Sequence, residues 1–546
     1  MALIKESPMS VHTTTITRKG LAIATAGLFA LSSLSFTPFA VAQDGAGAVN
    51  SGLVSQLSKT ETAKLTIHKL KGGFVGTNQY GVQQDVAGTP LKGIAFDIYR
   101  VKEGGADIDL STIEGWQKYS ELDPTKANEY ASEANYVKTI TTGDGGVATD
   151  ELPIGVYVIK ENLAKSNPDP AGTYTPAAPF ITALPFTNEG GTAWNKDVHV
   201  YPKNQEVKST KEVDDRQGDQ NEDIRQAGQT ISYTLKGGVP PVPNTVAQDN
   251  KYFDRYELID TYDSDKWTPD TSTVKVQINE GDTKLADLEA ADFEVTNPES
   301  NTFTIKLTDA GLLKLRHNVG EKTNVQVVAT IDGTLKADLK PGTVKNGVEV
   351  ETGNSGQPTV KTPKSEVESK YGRIDVTKFA KEGDKETNLA GAKFELHKCT
   401  NANAAGQPGT LIEKSKQTVG GKSEWETDAE GKITITGIQL EDWFDGKGQA
   451  DSFDYCLLET KAPEGYELLP QPILTPVNTN TPETKIGEEN LPFTLVQRVE
   501  NVPTTTSTFK LPSTGEWGRW WLVLGGVAAV LAALGVLYRN NRRTNA

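Results

Sequence analysis

Two sets of residues in this chain have the chemistry to make amide bonds. Leu511-Pro512-Ser513-Thr514-Gly515 offers an acyl donor at Thr514, and Lys203, near the end of WNKDVHVYPKN (194–204), offers an amine acceptor. The second set emerges from strand parity, because side chains two apart on a strand share a face. Leu65, Ile67 and Lys69 share one, as do Tyr157, Ile159 and Glu161, and Val198, Val200, Pro202 and Asn204. Further on, the pattern recurs in Ile374, Val376 and Lys378, in Tyr455, Leu457 and Glu459, and in Val499 and Asn501. A lysine, a carboxyl and an amide buried singly on apolar faces would be costly, so they must pair or react. Desolvation pushes a lysine toward its neutral, nucleophilic amine and a glutamic acid toward its protonated form. Neutral Lys378 can then attack the Asn501 side-chain carbonyl while Glu459 polarises it and shuttles protons, and ammonia leaves. Parity also separates Lys203 from Asn204. If Asn204 turns inward toward Lys69, Lys203 points outward for attack on another molecule; Lys196 shares the parity of Asn204 and is the weaker acceptor.

The elements that must carry these residues read as strands. Short alternating runs such as Leu65-Thr66-Ile67, Val274-Lys275-Val276, Phe303-Thr304-Ile305 and Ile433-Thr434-Ile435 are separated by Gly, Asn, Asp and Pro. That is the pattern of antiparallel sheets packed on one face, hence of all-β sandwiches. Helical periodicity is confined to the two terminal apolar segments and to short candidates around Trp116 to Glu121 and Asp309 to Leu315. The stretches from Lys340 to Gly356 and from Val502 to Lys510 read as loops or linkers. Two regions repeat: LTIHK (65–69), LKGIAFDIYR (91–100) and TGDGGVATDELPIGVYVIKE (142–161) match IDVTK (374–378), LAGAKFELHK (389–398), TDAEGKITITGI (427–438) and YCLLE (455–459). A different β segment lies between the copies.

The ends define the compartment. Arg18 and Lys19 precede an apolar stretch, Leu21 to Leu34, and Ala40-Val41-Ala42 supplies a small-x-small cleavage pattern, so the mature chain starts near Gln43. A permanent N-terminal anchor would need a longer stretch than one ending at Phe36-Thr37-Pro38. At the other end LPSTG precedes an apolar run from Trp520 to Tyr538 and then Arg539, Arg542 and Arg543, the layout of a cell-wall sorting signal with its basic end held in the cytoplasm. The net charge of −16 over the whole chain argues against nucleic acid or an anionic membrane as the main partner. The two cysteines, Cys399 and Cys456, read as one disulfide in an exported chain, in preference to two free thiols. The five histidines are scattered without metal-ligand spacing, so no metal or other cofactor is expected. Asp144-Gly145 and Asp428 to Gly431 read as hairpin turns in preference to calcium ligands. No clustered acid/base or Ser/His set suggests an enzyme.

These motifs together resemble those of sortase-assembled major pilins, the shaft subunits of Gram-positive pili of the Spa and Fim type. WNKDVHVYPKN is similar to their pilin motif, YCLLETKAPEGY (455–466) to their E-box and LPSTG to their sorting signal. The resemblance implies three tandem immunoglobulin-like β-sandwich domains, of collagen-adhesin types B, A and B. The expected division is a signal peptide over 1–42, domains over 43–204, 205–366 and 367–502, a linker with the sorting motif over 503–515, and a membrane segment and basic tail over 516–546. It further implies intramolecular Lys-Asn bonds: Lys69 to Asn204 with Glu161 assisting, Lys211 to Asn346 with Asp260, and Lys378 to Asn501 with Glu459. The middle set is carried over on the resemblance. There Val207, Ser209, Lys211 and Val213 share a face, as do Val344, Asn346, Val348 and Val350, while Lys208 lies opposite. In one departure from the family pattern, Glu161 is followed by NLAKSNPDP and not by an APxGY-like stretch. A class C sortase is expected to cut between Thr514 and Gly515 and pass Thr514 to Lys203 of the next identical subunit. A wall-anchoring sortase would then join the polymer to peptidoglycan. Minor pilins and a host receptor are the further partners implied. The competing readings are an ancillary pilin or monomeric wall-anchored adhesin gripping a host ligand, which would not need Lys203, and a secreted hydrolase on a β scaffold.

Overall fold

Period-two patterning resolves into strands almost throughout. The computed structural model describes residues 51–504, apart from 73–80, 87, 189–191, 218–222, 243–248, 297–300, 321, 355, 401–407 and 450–452. The signal segment, LPSTG and the apolar C-terminal run lie outside the described residues.

In the N-terminal region, strand Thr62–His68 lies between Asp197–Val200, to which it is parallel, and Val147–Pro153, to which it is antiparallel. A facing sheet has the order Phe180–Leu184, Gly155–Glu161, Ala95–Arg100, Tyr136–Thr141. Leu65, Ile67, Phe96, Ile98, Tyr157, Ile159, Val198 and Val200 fill the space between them. The outer face of the second sheet is covered by an insertion that includes helix Ile113–Glu121, capped by Thr112 Oγ1, which accepts from Gly115 N–H at 3.1 Å. The chain then passes through Lys203–Val207, which pairs in parallel with Leu70–Lys71 and antiparallel with Thr173–Thr175, into Ser209–Asp214 of the next region.

The middle region packs the five-stranded sheet Ser209–Asp214, Thr230–Val239, Val325–Leu335, Trp267–Glu280, Thr283–Leu288 against a second sheet built on Phe253–Tyr262 and Gly342–Asn354. The predicted short helix appears as Asp309–Val319, with Thr308 as its cap. One expectation is corrected: Lys340 to Gly356 is mostly strand, Gly342–Asn354. Its proline and glycines suggested a loop, but Val344, Asn346, Val348 and Val350 turn one continuous face into the core, and that burial outweighs the weak strand preference of glycine. Gly347 and Gly353 are instead places where Lys364 and Thr359 approach the strand closely.

The 18-residue strand Ser365–Glu382 joins the middle and C-terminal regions without interruption. Its first half pairs with Gly342–Asn354. Its second half pairs antiparallel with Lys432–Gln439 and parallel with Thr494–Glu500. The expected border at 366/367 therefore falls inside one strand, and a single apolar core runs from Val207 to Val499. Polar contacts reinforce the joint. Gln226 Nε2 donates to Tyr455 OH at 2.9 Å, Gln439 N–H donates to Gln226 Oε1 at 2.8 Å, and Arg216 pairs with Asp445. The facing sheet of the C-terminal region is Thr410–Lys416, Lys393–Thr400, Asp454–Lys461, Ile473–Leu474.

Cys399 and Cys456 form a disulfide between the neighbouring strands Lys393–Thr400 and Asp454–Lys461, fully buried beside Leu474. For a sequence separation of 57 residues, chain entropy gives about 4 kcal/mol as an upper bound. Cys456→Ser is expected to lower the denaturation free energy of the chain by about 2–4 kcal/mol. Unchanged stability in urea titrations would show that the bond adds nothing to what the sheet already fixes.

Candidate functional site

The repeat builds the same backbone cradle around two lysines. Lys69 N–H donates to Gly146 O (2.7 Å) and Lys378 N–H to Gly431 O (2.7 Å); Lys69 O accepts from Leu91 N–H (3.0 Å) and Lys378 O from Leu389 N–H (2.9 Å). Thr142 Oγ1 donates to Leu91 O and accepts from Ile94 N–H, and Thr427 Oγ1 does the same with Leu389 O and Ala392 N–H. Gly146 and Gly431 both have positive φ, and a Cβ at either would sit about 2.5 Å from the lysine carbonyl, so only glycine fits. The two lysines thus enter their sandwiches at equivalent points, each under a phenyl ring: Lys69 Nζ is 5.4 Å from the Phe96 centroid and Lys378 Nζ 5.5 Å from that of Phe394.

In the C-terminal region the three predicted residues meet. Lys378, Glu459 and Asn501 are at most 2% exposed. Lys378 Nζ contacts Asn501 Oδ1 and lies 3.2 Å from Glu459 Oε1, to which Asn501 Nδ2 also donates at 3.2 Å. Leu469 N–H donates to the other carboxyl oxygen at 2.8 Å and fixes its orientation. Burial lowers the Lys378 pKa to about 8, against the opposing pull of Glu459. The parallel pairing of Ser365–Glu382 with Thr494–Glu500 places Lys378 opposite Val499, and Asn501 N–H reaches Phe379 O at 2.9 Å, which brings the two side chains together.

The N-terminal region repeats this geometry. Lys69 Nζ is 2.8 Å from Glu161 Oε2, Asn204 Nδ2 donates to Glu161 Oε1 at 2.7 Å, and Ala177 N–H donates to Oε2 at 3.0 Å. All three side chains are buried, and burial lowers the Lys69 pKa despite the carboxylate. Asn204 Oδ1 has no hydrogen-bond partner among the described residues. The departure after Glu161 leaves this arrangement intact, because Ala177 supplies the backbone donor that Leu469 supplies in the other copy.

In the middle region Lys211 Nζ pairs with Asp260 Oδ2, both side chains sealed from solvent. Burial lowers the lysine and raises the acid. Tyr233 takes the place of the phenylalanine, 5.1 Å from Nζ. Asn346 is opposite Tyr262 in register, two positions from the Asp260–Val348 pair and on the same face, and its buried amide lies beside the Tyr233 hydroxyl. Lys208 is exposed and pairs with Glu206 at 3.2 Å, away from this core.

Lys203, partly buried, opens strand Lys203–Val207 on the face opposite to buried Asn204. Lys196 is exposed and ion-paired with Glu61 at 2.7 Å. Thr514 and the rest of the sorting motif, Leu511, Pro512, Ser513 and Gly515, lie outside the described residues. Sequence reasoning missed the ring over each lysine and the backbone donors behind each acid. Phe96 and Phe394 were visible as equivalent positions in LKGIAFDIYR and LAGAKFELHK, whereas Ala177 and Leu469 lie in segments with no shared pattern. In the turns, Asp144 pairs with Lys92 at 2.7 Å, and Asp428 Oδ1 accepts from Glu430 and Lys432 N–H.

The described residues form a series of sandwiches, two with matched Lys-Glu-Asn cores and one with a buried Lys-Asp pair, and a lysine-bearing strand joins the first two. Residues 60–205 match the family described as Gram-positive pilin subunit D1, N-terminal domain, 257–338 the MBG domain, 372–490 the prealbumin-like fold domain of SpaA type, and 503–545 the LPXTG cell wall anchor motif. The chain is 31% identical to the fimbrial subunit type 1 of Actinomyces viscosus over 96% of its own length and 98% of that protein. It is 27% identical to the fimbrial subunit type 2 of Actinomyces naeslundii, over 98% and 99%. Among solved structures, the full-length major pilin SpaD from Corynebacterium diphtheriae superposes with a TM-score of 0.64 at 27% identity, covering 82% of this chain and 99% of that one. The chain belongs to the Gram-positive fimbrial subunit family. It is a pilus subunit with a cell-wall anchor, located on the surface of a Gram-positive bacterium.

Proposed function

We propose that this chain is the shaft subunit of a covalent pilus and that it crosslinks itself internally at Lys69–Asn204, Lys211–Asn346 and Lys378–Asn501, one bond in each of the domains 43–204, 205–366 and 367–502. The observation that carries this reading is the threefold burial of a lysine against a carboxyl group, with an asparagine amide on the same core face. An ordinary ion pair would gain little in such places, and an orphaned buried amide would cost stability. Both make sense as reactants. Each bond forms when the neutral lysine Nζ attacks the asparagine Cγ; Glu161, Asp260 or Glu459 gives a proton to the departing amide nitrogen and takes one from the attacking amine, so one ammonia leaves per bond. This is a single self-directed turnover, and the chain acts as substrate and building block in place of catalyst.

Between subunits, a class C sortase takes the Thr514 acyl group as a thioester, releasing the tail from Gly515 onward. Lys203 Nζ of the next copy displaces the sortase thiol and forms an amide. Head-to-tail repetition gives an open filament. A wall-anchoring sortase transfers the finished polymer to peptidoglycan, with minor pilins and a host surface as further partners. Intact mass of the soluble segment 43–510 tests the internal chemistry. Loss of three ammonia equivalents is expected, with two hydrogens regained on reduction of the disulfide. An unmodified mass would leave the three sets as ordinary core pairs.

A further inference from the structure

His199 and Tyr201 precede Lys203 at i−4 and i−2, at the end of strand Asp197–Val200; on the parallel neighbours Thr66 pairs with His199 and Leu70 with Lys203, and His68 lies between them in sequence. Here the two imidazoles meet. His68 Nε2 is 2.8 Å from His199 Nδ1, the rings stack with centroids 5.1 Å apart, and Tyr201 stacks on His68 at 4.5 Å. The segment 81–86 is tied to the same stretch of chain as a strap. Its Gly81 O accepts from His199 N–H at 2.7 Å and from Asn195 Nδ2 at 3.0 Å, and its Gln84 N–H donates to Tyr201 OH at 2.6 Å. His199 is 9% exposed and Tyr201 4%. None of these groups takes part in the amide-forming sets described above.

We propose that the His68–His199–Tyr201 stack is an acid-sensitive clasp that holds the strap against the acceptor strand at neutral pH and releases it when both imidazoles are protonated. The contact between the two ring nitrogens needs one N–H and one lone pair. A doubly protonated pair has no lone pair to offer and brings two cations into contact at a half-buried site. The charged groups on the packed elements do not cancel this. Asp197 Oδ1 lies 3.2 Å from His199 Nε2 and favours a single proton there, but its other oxygen is shared with Lys64 at 2.9 Å. Glu151 sits opposite Lys64 on the next strand, and the strap contributes Asp85. Burial, followed by the nearby His199, lowers the His68 pKa to about 4, and burial also lowers that of His199. A depressed histidine stabilises the clasp above its ordinary pKa of about 6.5, and that stabilisation is lost as pH falls through the folded value. Release of the strap does not depend on the reading of Lys203 as acceptor.

Hydrogen exchange on the full chain in mild detergent, corrected for the intrinsic pH dependence, tests release directly. Peptides covering 81–86 and 197–201 are expected to lose protection by about tenfold or more between pH 7 and pH 4, with the strand 155–161 unchanged. His68→Phe retains a stacking ring without a titrating nitrogen and is expected to keep protection at pH 4. Tyr201→Phe is expected to expose the strap already at pH 7. A wild-type strap equally protected at both values, or one that opens identically in His68→Phe, would overturn the clasp. So would a His68 resonance titrating near its ordinary midpoint in the folded chain.

Discussion

Replacing Lys203 by alanine is expected to abolish the high-mass covalent ladder on the cell surface and leave monomer, while Lys196→Ala leaves the ladder intact. The expectation follows from the strand that holds both Lys203 and Asn204. Asn204 is fully buried beside Glu161, so the adjacent side chain must take the other face. Lys196 is ion-paired with Glu61 near the far end of the motif. Immunoblots of wall extracts from cells expressing each variant decide the matter, and the whole signal is at stake because an open chain cannot extend without its acceptor. A ladder that survives Lys203→Ala but vanishes in Lys196→Ala would move the acceptor. A ladder absent from wild-type cells would favour a singly anchored adhesin.

The second large effect concerns Lys378. In Glu459→Ala the lysine keeps its buried position but loses the carboxylate paired with it, so the ammonia loss from the C-terminal domain should disappear and the domain should be destabilised by about 3–5 kcal/mol, beyond the loss of the covalent link. Asn501→Ala separates the two contributions, since it removes the acceptor amide but leaves the Lys378–Glu459 pair. In single-molecule pulling between Lys203 and Thr514, the intact bond shields the residues between 378 and 501 from load. Asn501→Ala releases that span except for the 57 positions still closed by the Cys399–Cys456 disulfide, an added extension of about 220 Å. Equal extension for both chains would mean that force does not bypass the sheet. The pH dependence has a definite sign. Because burial lowers the Lys378 pKa to about 8, the fraction of neutral nucleophile rises with pH and levels off above that value. Bond formation followed by mass spectrometry after refolding should therefore be slower at pH 6 than at pH 8; a rate unchanged across that interval would show that amine deprotonation does not limit it.

Much of this arrangement could be read before any fold was known. The parity of Lys69, Glu161, Lys378, Glu459 and Asn501 among apolar neighbours marked them as inward, because a strand has a strict period of two and a buried polar group needs a reason. The duplicated LKGIAFDIYR and LAGAKFELHK segments announced two copies of one sandwich, and the structure shows their lysines in matching hydrogen-bonded cradles. Parity says which face a side chain takes, but not which distant strand lies beside it. Only tertiary pairing made Thr494–Glu500 the parallel neighbour of Ser365–Glu382, and so set Asn501 against Lys378. The same limit explains the misreading of Lys340 to Gly356, where burial against a second sheet decided a segment whose local composition argued for a loop. It also explains why a border was expected within Ser365–Glu382: residues 365–382 carry no sign that one strand serves two sheets, since that depends on what packs on either half. By itself the sequence determined the reactive residue types, their faces and their order along the chain. The three-dimensional structure decided their partners, the aromatic ring over each lysine and the backbone donor behind each glutamate, because those depend on contacts between segments too far apart in sequence for any local pattern to encode.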